Sequence, residues 1–78
     1  LATNRVLLGR ETGNDIVVND LNASRQHAQI EFEPQGVWVI TDLGSTNGTL
    51  VNNRRITRCP LRNGDLLTFG LSTFEFRG

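Results

Sequence analysis

The chain has 78 residues, one cysteine and a formal net charge of zero at pH 7. This length allows one domain, and a lone cysteine excludes an internal disulfide. The sequence has no CxxC pair and no His-rich set, so we expect no structural metal and no cofactor. A neutral charge balance argues against general nucleic-acid binding, which needs a basic excess to displace counterions.

The positive charge is carried by arginine alone, since all eight cationic residues are arginine and none is lysine. The guanidinium fork matches phosphate and carboxylate with two parallel hydrogen bonds, whereas lysine acts as a point charge. A GC-rich genome is the alternative explanation, and it carries more weight for the other arginines than for Arg10 and Arg25. Those two therefore remain candidates for binding an anion.

The chain begins with leucine and has no apolar stretch near the length of a membrane span. We therefore expect residues 1–78 to be one domain of a larger cytoplasmic protein, without membrane insertion.

Short segments along the chain have the alternating or wholly apolar pattern of β-strands. In chain order they are residues 5–8, 16–18, 27–33, 37–42, 50–51, 55–56, 66–69 and 72–77. No window has the i, i+3, i+4 spacing of an amphipathic helix. Short strands separated by frequent turns are typical of a sandwich or barrel, so the sequence predicts an all-β fold.

The predicted core consists of apolar residues from most of these strands. It contains Val6, Leu8, Ile16, Val18, Ala28, Ile30, Phe32, Trp38, Ile40, Leu66, Phe69, Phe74 and Phe76. A two-sheet sandwich usually needs about 100 residues to cover both sheets. We therefore expect this chain to lack one or two strands at its beginning.

A polar loop interrupts the apolar segments at residues 45–49, which read Ser-Thr-Asn-Gly-Thr. Backbone amides and hydroxyls concentrated in this way can surround an anion, and glycine permits a close approach. Two upstream segments contain arginine and could supply the charge, namely Gly9-Arg10 and residues 24–27 (Ser-Arg-Gln-His).

Ser24 and His27 could also suggest a hydrolase, with Asp42 as a third member. In an extended segment the serine and histidine would lie roughly 10 Å apart. No oxyanion motif or GxSxG elbow accompanies them, so we expect no enzymatic activity. A scaffold role is favoured for His27, as a partly buried imidazole that hydrogen-bonds a neighbouring loop.

Three arginines after the polar loop, Arg54, Arg55 and Arg58, form a loose basic cluster. A solvated edge is the simplest interpretation, because exposed charges usually contribute little. Contact with an acidic partner is the alternative.

The order and spacing of the motifs are more specific than any single motif. Gly9-Arg10, Asn14-Asp15-Ile16, Ser24-Arg25-x-His27, residues 42–49 and Val51-Asn52 follow one another along the chain. Together they resemble the forkhead-associated (FHA) domain family, from about Arg5 to Phe76. Among its members we expect similarity to bacterial modules, those of actinobacteria included.

The resemblance implies a two-sheet β-sandwich that binds phosphothreonine peptides through loops at one end. The implied partners are phosphothreonine-containing proteins of Ser/Thr kinase signalling. Arg10 and Arg25 would contact the phosphate or the nearby peptide. Ser24 would donate its hydroxyl and backbone N–H to the phosphate, and Thr46 would add a hydrogen bond. Asn47 would hold the peptide main chain.

Five further residues would shape the loops by the same resemblance, with Asn52 also a candidate for an extra peptide contact. They are Gly9, His27, Ser45, Gly48 and Asn52. A phosphate-independent protein–protein or oligomerisation domain that uses a sheet face remains the alternative function.

Overall fold

The segments with strand periodicity do form strands. The computed structural model describes residues 4–78, so the first three residues of the predicted domain lie outside it. Residues 4–78 form nine strands and no helix. The strands are β1 (Arg5–Gly9), β2 (Ile16–Val17), β3 (Ala28–Phe32), β4 (Trp38–Asp42), β5 (Thr49–Val51), β6 (Arg54–Ile56), β7 (Arg58–Pro60), β8 (Leu66–Phe69) and β9 (Ser72–Glu75).

The strands pair into two sheets, with the orders β2-β1-β3-β4-β7 and β6-β5-β8-β9. The β1–β2 pair is parallel, and the other pairs are antiparallel. Apolar side chains from both sheets form one core cluster between them. The predicted two-sheet β-sandwich is therefore confirmed.

One strand of the larger sheet has no signal in the sequence. β7 contains Pro60, which cannot donate to a ladder and is tolerated only at a sheet edge or a bulge. It pairs with β4 at the edge, where Pro60 lies opposite Val39. Because the segment Arg58–Pro60 neither alternates nor forms an apolar run, periodicity alone misses it.

The predicted core is correct for the central residues of the sandwich. Six of them are buried, and three are partly buried against the same cluster. The buried six are Leu8, Val18, Ala28, Ile30, Ile40 and Phe69, and the partly buried three are Val6, Trp38 and Phe76. Buried residues that the prediction omitted are Ala23, Val39, Val51, Leu61 and Leu67.

Four predicted core residues are wrong, and the reasons differ. Leu66 is 46% exposed and Leu67 only 3%, because strand alternation places Leu67 on the same face as Phe69. Phe32 lies at the end of a hairpin, half exposed, with its ring 4.9 Å from that of Trp38.

The other two, Ile16 and Phe74, line a cleft of about 350 Å³ between the sheets. They are 43% and 41% exposed, because the edge strands β2 and β9 end the two sheets there. We refer to this opening as the edge cleft.

Candidate functional site

Three loops meet at one end of the sandwich: the loop after β1, the loop between β2 and β3, and the polar loop between β4 and β5. The first two are joined by hydrogen bonds between their backbones. The Arg10 N–H donates to the Ser24 carbonyl at 2.9 Å, and the Glu11 N–H donates to the Arg25 carbonyl at 3.2 Å. A Cβ atom on Gly9 would lie 2.1 Å from the Arg25 carbonyl oxygen. Only glycine therefore allows the end of β1 to approach the Ser24–Arg25 segment this closely.

Asn14 reinforces the same junction. Its side chain is buried, and its Nδ2 donates to the Glu11 carbonyl at 2.8 Å and to the Arg25 carbonyl at 2.7 Å. The sequence pattern at Asn14 suggests ordinary turn chemistry. In the structure, this amide ties the loop after β1 to the loop before β3.

His27 is the buried centre of the site. The Ser24 N–H donates to Nδ1 at 3.0 Å, so the ring proton is on Nε2, which donates to the Gly48 carbonyl at 2.8 Å. The ring is 0% exposed and meets Phe69 edge-on, with centroids 5.4 Å apart. With both nitrogens engaged, the imidazole pins two loops and has no free acceptor for a serine proton.

This arrangement corrects one expectation for Ser24. Its backbone N–H points to His27 and is not available to a phosphate. Its hydroxyl oxygen accepts from the Thr46 N–H at 3.0 Å. A hydroxyl that accepts in this way can still donate its proton, so the Ser24 hydroxyl is a donor at the meeting point of two loops.

Asp42 organises the polar loop from inside. Its Oδ1 accepts from the Ser45 hydroxyl at 2.5 Å and the Thr49 hydroxyl at 2.7 Å. Its Oδ2 accepts from the Gly44 and Ser45 N–H groups, both at 3.1 Å. Burial by itself raises the pKa of the Asp42 carboxyl, but these hydrogen bonds outweigh it and hold the pKa below its usual value.

From the sequence we considered Asp42 as the third member of a catalytic triad. We did not predict that its carboxylate holds the polar loop through hydrogen bonds. A carboxylate followed within three residues by glycine and serine is the pattern of an Asx-type turn, and it could have identified Asp42. Ser45, predicted to shape the loop, is buried and bonded to that carboxylate.

Asn47 and Gly48 form the tip of the polar loop. The Asn47 Nδ2 donates to the Asn22 carbonyl at 2.7 Å, which links the tip to the loop between β2 and β3. Gly48 has a φ of 85°, in the left-handed region that favours glycine. A Cβ there would also lie 2.6 Å from Arg55 Nε, so the Arg55 side chain covers this glycine.

Two exposed arginines border the junction of the loops. The Arg10 Nε donates to the Ala23 carbonyl at 3.1 Å, and the residue is otherwise exposed. Arg25 is exposed on the neighbouring loop. The ion pairs found within residues 4–78 involve other arginines, so neither guanidinium is neutralised by a described carboxylate.

Asn52 is the one predicted residue that lies elsewhere. It occupies the turn at the far end of β5, with a φ of 53°. Its Nδ2 donates to Asp65 Oδ1 at 3.0 Å, and its Oδ1 accepts from the Leu66 N–H at 3.0 Å. The side chain is committed to this turn, so the geometry lends no support to the extra peptide contact, which stays a prediction.

Residues 4–78 contain no group of three or more His, Cys, Asp or Glu side chains that could hold a metal ion. The same residues include no helix that is long and apolar enough to cross a membrane.

The fold and the loop geometry define a small β-sandwich with a polar, arginine-bordered surface at one end. The model of the FHA domain family matches residues 6–70. The chain belongs to this family.

Several solved structures and curated relatives share the fold at substantial identity. EmbR of Mycobacterium tuberculosis, in complex with a low-affinity phosphopeptide, is 36% identical with a TM-score of 0.89, over 99% of this chain and 20% of that one. A structure from a study of phosphothreonine-dependent FHA domain interactions is 34% identical with a TM-score of 0.85, over 94% of this chain and 75% of that one.

The ABC transporter ATP-binding/permease protein Rv1747 of Mycobacterium tuberculosis is 43% identical over 83% of this chain. The chain spans only 7% of that transporter's length. The mycobacterial matches agree with the expected similarity to actinobacterial modules.

Proposed function

We propose that residues 1–78 are a single phosphothreonine-reading domain of a larger cytoplasmic protein, with no enzymatic activity of its own. Its partners would be proteins phosphorylated by Ser/Thr kinases. The observation that carries this proposal is that two loops meet at Ser24. Its hydroxyl accepts from the Thr46 N–H of the polar loop at 3.0 Å, and the exposed Arg25 is the next residue along the chain.

The residue types at this junction suit a phosphate ester. A phosphothreonine carries about −1.5 to −2 charges near neutral pH. Arg10 and Arg25 supply two positive charges that pair with no carboxylate of residues 4–78. Arginine binds phosphate with short, charge-assisted hydrogen bonds. The hydroxyls of Ser24 and Thr46 add neutral donors. Asn47, with one amide hydrogen committed to a neighbouring loop, keeps its carbonyl oxygen and second N–H for a peptide main chain.

Two further observations favour a reader over a hydrolase. EmbR, which is similar to this chain, was solved with a phosphopeptide bound. The Ser24 hydroxyl faces the Thr46 N–H, whereas both nitrogens of His27 are engaged by backbone groups. General-base catalysis needs a free acceptor within hydrogen-bond reach of the nucleophile.

The decisive experiment compares a phosphothreonine peptide library with its unphosphorylated twin in binding titrations. We expect measurable affinity only for phosphorylated members, and a weaker affinity for phosphoserine versions of the best binder. Equal binding to both libraries, or binding to neither, would contradict the proposal.

The edge cleft favours a second candidate, a phosphate-independent protein–protein domain. Half-exposed Ile16 and Phe74 belong to the edge strands β2 and β9, and such edges are sites of strand addition. This function predicts a partner or self-association that survives substitution of Arg10. Sedimentation at high protein concentration, with the wild type and Arg10→Ala, would detect it.

A further inference from the structure

A third arginine, from a strand of the smaller sheet, contacts the polar loop. Arg55 in β6 pairs with Leu50 of β5, and its side chain extends back over Gly48. A Cβ on Gly48 would lie 2.6 Å from Arg55 Nε and 2.9 Å from Arg55 Cζ. The guanidinium therefore rests on the backbone of the loop.

The Gly48 peptide is enclosed on two sides. Its carbonyl accepts from the buried His27, while its Cα is covered by the exposed Arg55. Packing against a fixed backbone restricts the long arginine side chain before any ligand binds. A restricted side chain loses less conformational entropy when it forms a new contact.

The charge of Arg55 has no described carboxylate to neutralise it. The ion pairs within the described part of the chain are Arg58–Glu33 and Arg77–Glu75. Gly48 directly follows Asn47, which we propose to hold the peptide main chain. An uncompensated cation thus lies one residue from the proposed peptide contact.

We propose that Arg55 is a specificity residue that selects phosphopeptides with an aspartate or glutamate close to the phosphothreonine. This inference rests on the proposed function. The carboxylate would accept two parallel hydrogen bonds from the guanidinium fork, a geometry that lysine cannot offer. The contact is exposed, so it tunes the choice among phosphopeptides and supplies only a small part of the affinity.

The test uses one phosphothreonine parent peptide with alanine at the flanking positions. Derivatives carry a single aspartate at each of these positions, before and after the phosphothreonine. Wild type should prefer aspartate over alanine at one or two neighbouring positions by roughly 2- to 5-fold, the size of an exposed ion pair. That preference should shrink as salt rises, because about 0.1 M salt screens exposed charges beyond roughly 10 Å.

Three variants of Arg55 separate charge recognition from packing. Arg55→Gln should remove the aspartate preference and leave the affinity for the alanine parent within about twofold, since the parent offers no carboxylate. Arg55→Lys should retain part of the preference. Arg55→Glu should reverse it, so that a lysine at the same position becomes favourable.

Arg54→Gln is the matched control, because it removes the same charge from the same strand. Arg54 pairs with Val51, and strand alternation directs its side chain to the other face of the sheet from Arg55. It should leave the aspartate preference unchanged.

Three outcomes would overturn the inference. Wild type could show no aspartate preference at any position, or Arg55→Gln could weaken all peptides equally, which would assign Arg55 to packing alone. Loss of the preference in Arg54→Gln would point to the net charge of the domain. Failure of wild type to bind even the parent phosphopeptide would reject the proposed function itself, and it is recognisable because the parent is measured in the same series.

Discussion

The loop end of the sandwich and the edge cleft are both open to solvent, but they are built on different interactions. At the loop end, Ser24, His27 and Asn47 connect separate loops through hydrogen bonds of 2.7–3.0 Å. At the edge cleft, Ile16 and Phe74 leave apolar surface half exposed.

The difference shows which kind of change each region tolerates. A hydrogen-bonded junction depends on backbone spacing to within a few tenths of an ångström. An apolar cleft depends on the area removed from water, which changes gradually with side-chain size. Substitutions at the loop end should therefore affect phosphopeptide binding, whereas those at the edge cleft should leave phosphopeptide binding unchanged and reduce stability.

Among substitutions at the loop end, Gly9→Ala should have the largest effect. The added Cβ would lie 2.1 Å from the Arg25 carbonyl oxygen, which belongs to the backbone and cannot move aside without displacing the loop. We expect a loss of about 3 kcal/mol in the free energy of unfolding, at the upper end for overpacking. Phosphopeptide binding should fall with it. Urea denaturation and peptide titration measure the two effects.

Gly13→Ala is the control in the adjoining loop, because among residues 4–78 no heavy atom beyond its chain neighbours lies within 4 Å of its added Cβ. It should change the stability by less than about 0.5 kcal/mol, as a typical surface substitution does. If both glycine variants behave alike, close backbone approach is not what holds the junction together.

Arg10→Ala should have the next largest effect at the loop end, and it should weaken phosphopeptide binding. Loss of a charged hydrogen bond to phosphate should weaken the affinity by about 1.5–3 kcal/mol, roughly 10- to 150-fold. Isothermal titration with a phosphothreonine peptide measures this loss. Arg62→Ala, which removes an exposed arginine outside the site, should bind as wild type does. An unchanged affinity for Arg10→Ala would show that Arg10 does not contact the phosphate.

The order of the motifs was sufficient to predict most of the loop end from sequence. The resemblance to the FHA family implied that the loops bearing Arg10, Ser24, Thr46 and Asn47 lie at one end of a sandwich, and the structure brings these loops together. The structure places the Ser24 hydroxyl at the meeting point of two loops, and its contact with a phosphate stays a prediction. The Ser24 N–H instead donates to His27, because of a turn that has no separate sequence signal.

The direction of the Arg55 side chain was not predictable. Arg55 reaches Gly48 because β6 pairs with β5, but the conformation that lays its side chain over the glycine has no sequence signal. Two adjacent leucines, Leu66 and Leu67, left the register of β8 open, and a one-residue shift exchanges the buried and exposed faces.

At the edge cleft, Phe74→Ala should have a smaller effect on stability than its burial in a complete core would predict. Full burial of a phenylalanine contributes about 1.5–3 kcal/mol, and Phe74 is 41% exposed. We expect a loss of about 1 kcal/mol, with unchanged phosphopeptide affinity. Leu67→Ala is the comparison, since Leu67 is the cross-strand partner of Phe74 and is buried.

Leu67→Ala should cost about 2–5 kcal/mol. Denaturation curves for the two variants give the ratio of their losses in the free energy of unfolding. Equal losses would mean that the edge cleft is as well covered as the centre of the sandwich.

The smallest effect should be the pH dependence that Asp42 confers. Its pKa is lowered in the folded protein, relative to the ordinary value of 3.8, by hydrogen bonds from Ser45, Thr49 and Gly44 that outweigh the effect of burial. A carboxyl with a lowered folded pKa stabilises the fold fully above its unfolded pKa, and this stabilisation is lost as the pH falls through the folded value.

As the pH falls from about 5 through 3.8 and below, wild type should therefore lose stability more steeply than Asp42→Asn, which has no proton to take up at that position. Urea unfolding at intervals across this range measures the two slopes. Asp20 and Asp65 also have lowered pKa values and are present in both proteins, so the difference between the slopes isolates Asp42. Parallel curves would mean that the hydrogen bonds to the Asp42 carboxylate persist in the unfolded chain or contribute nothing to holding residues 43–49 in place.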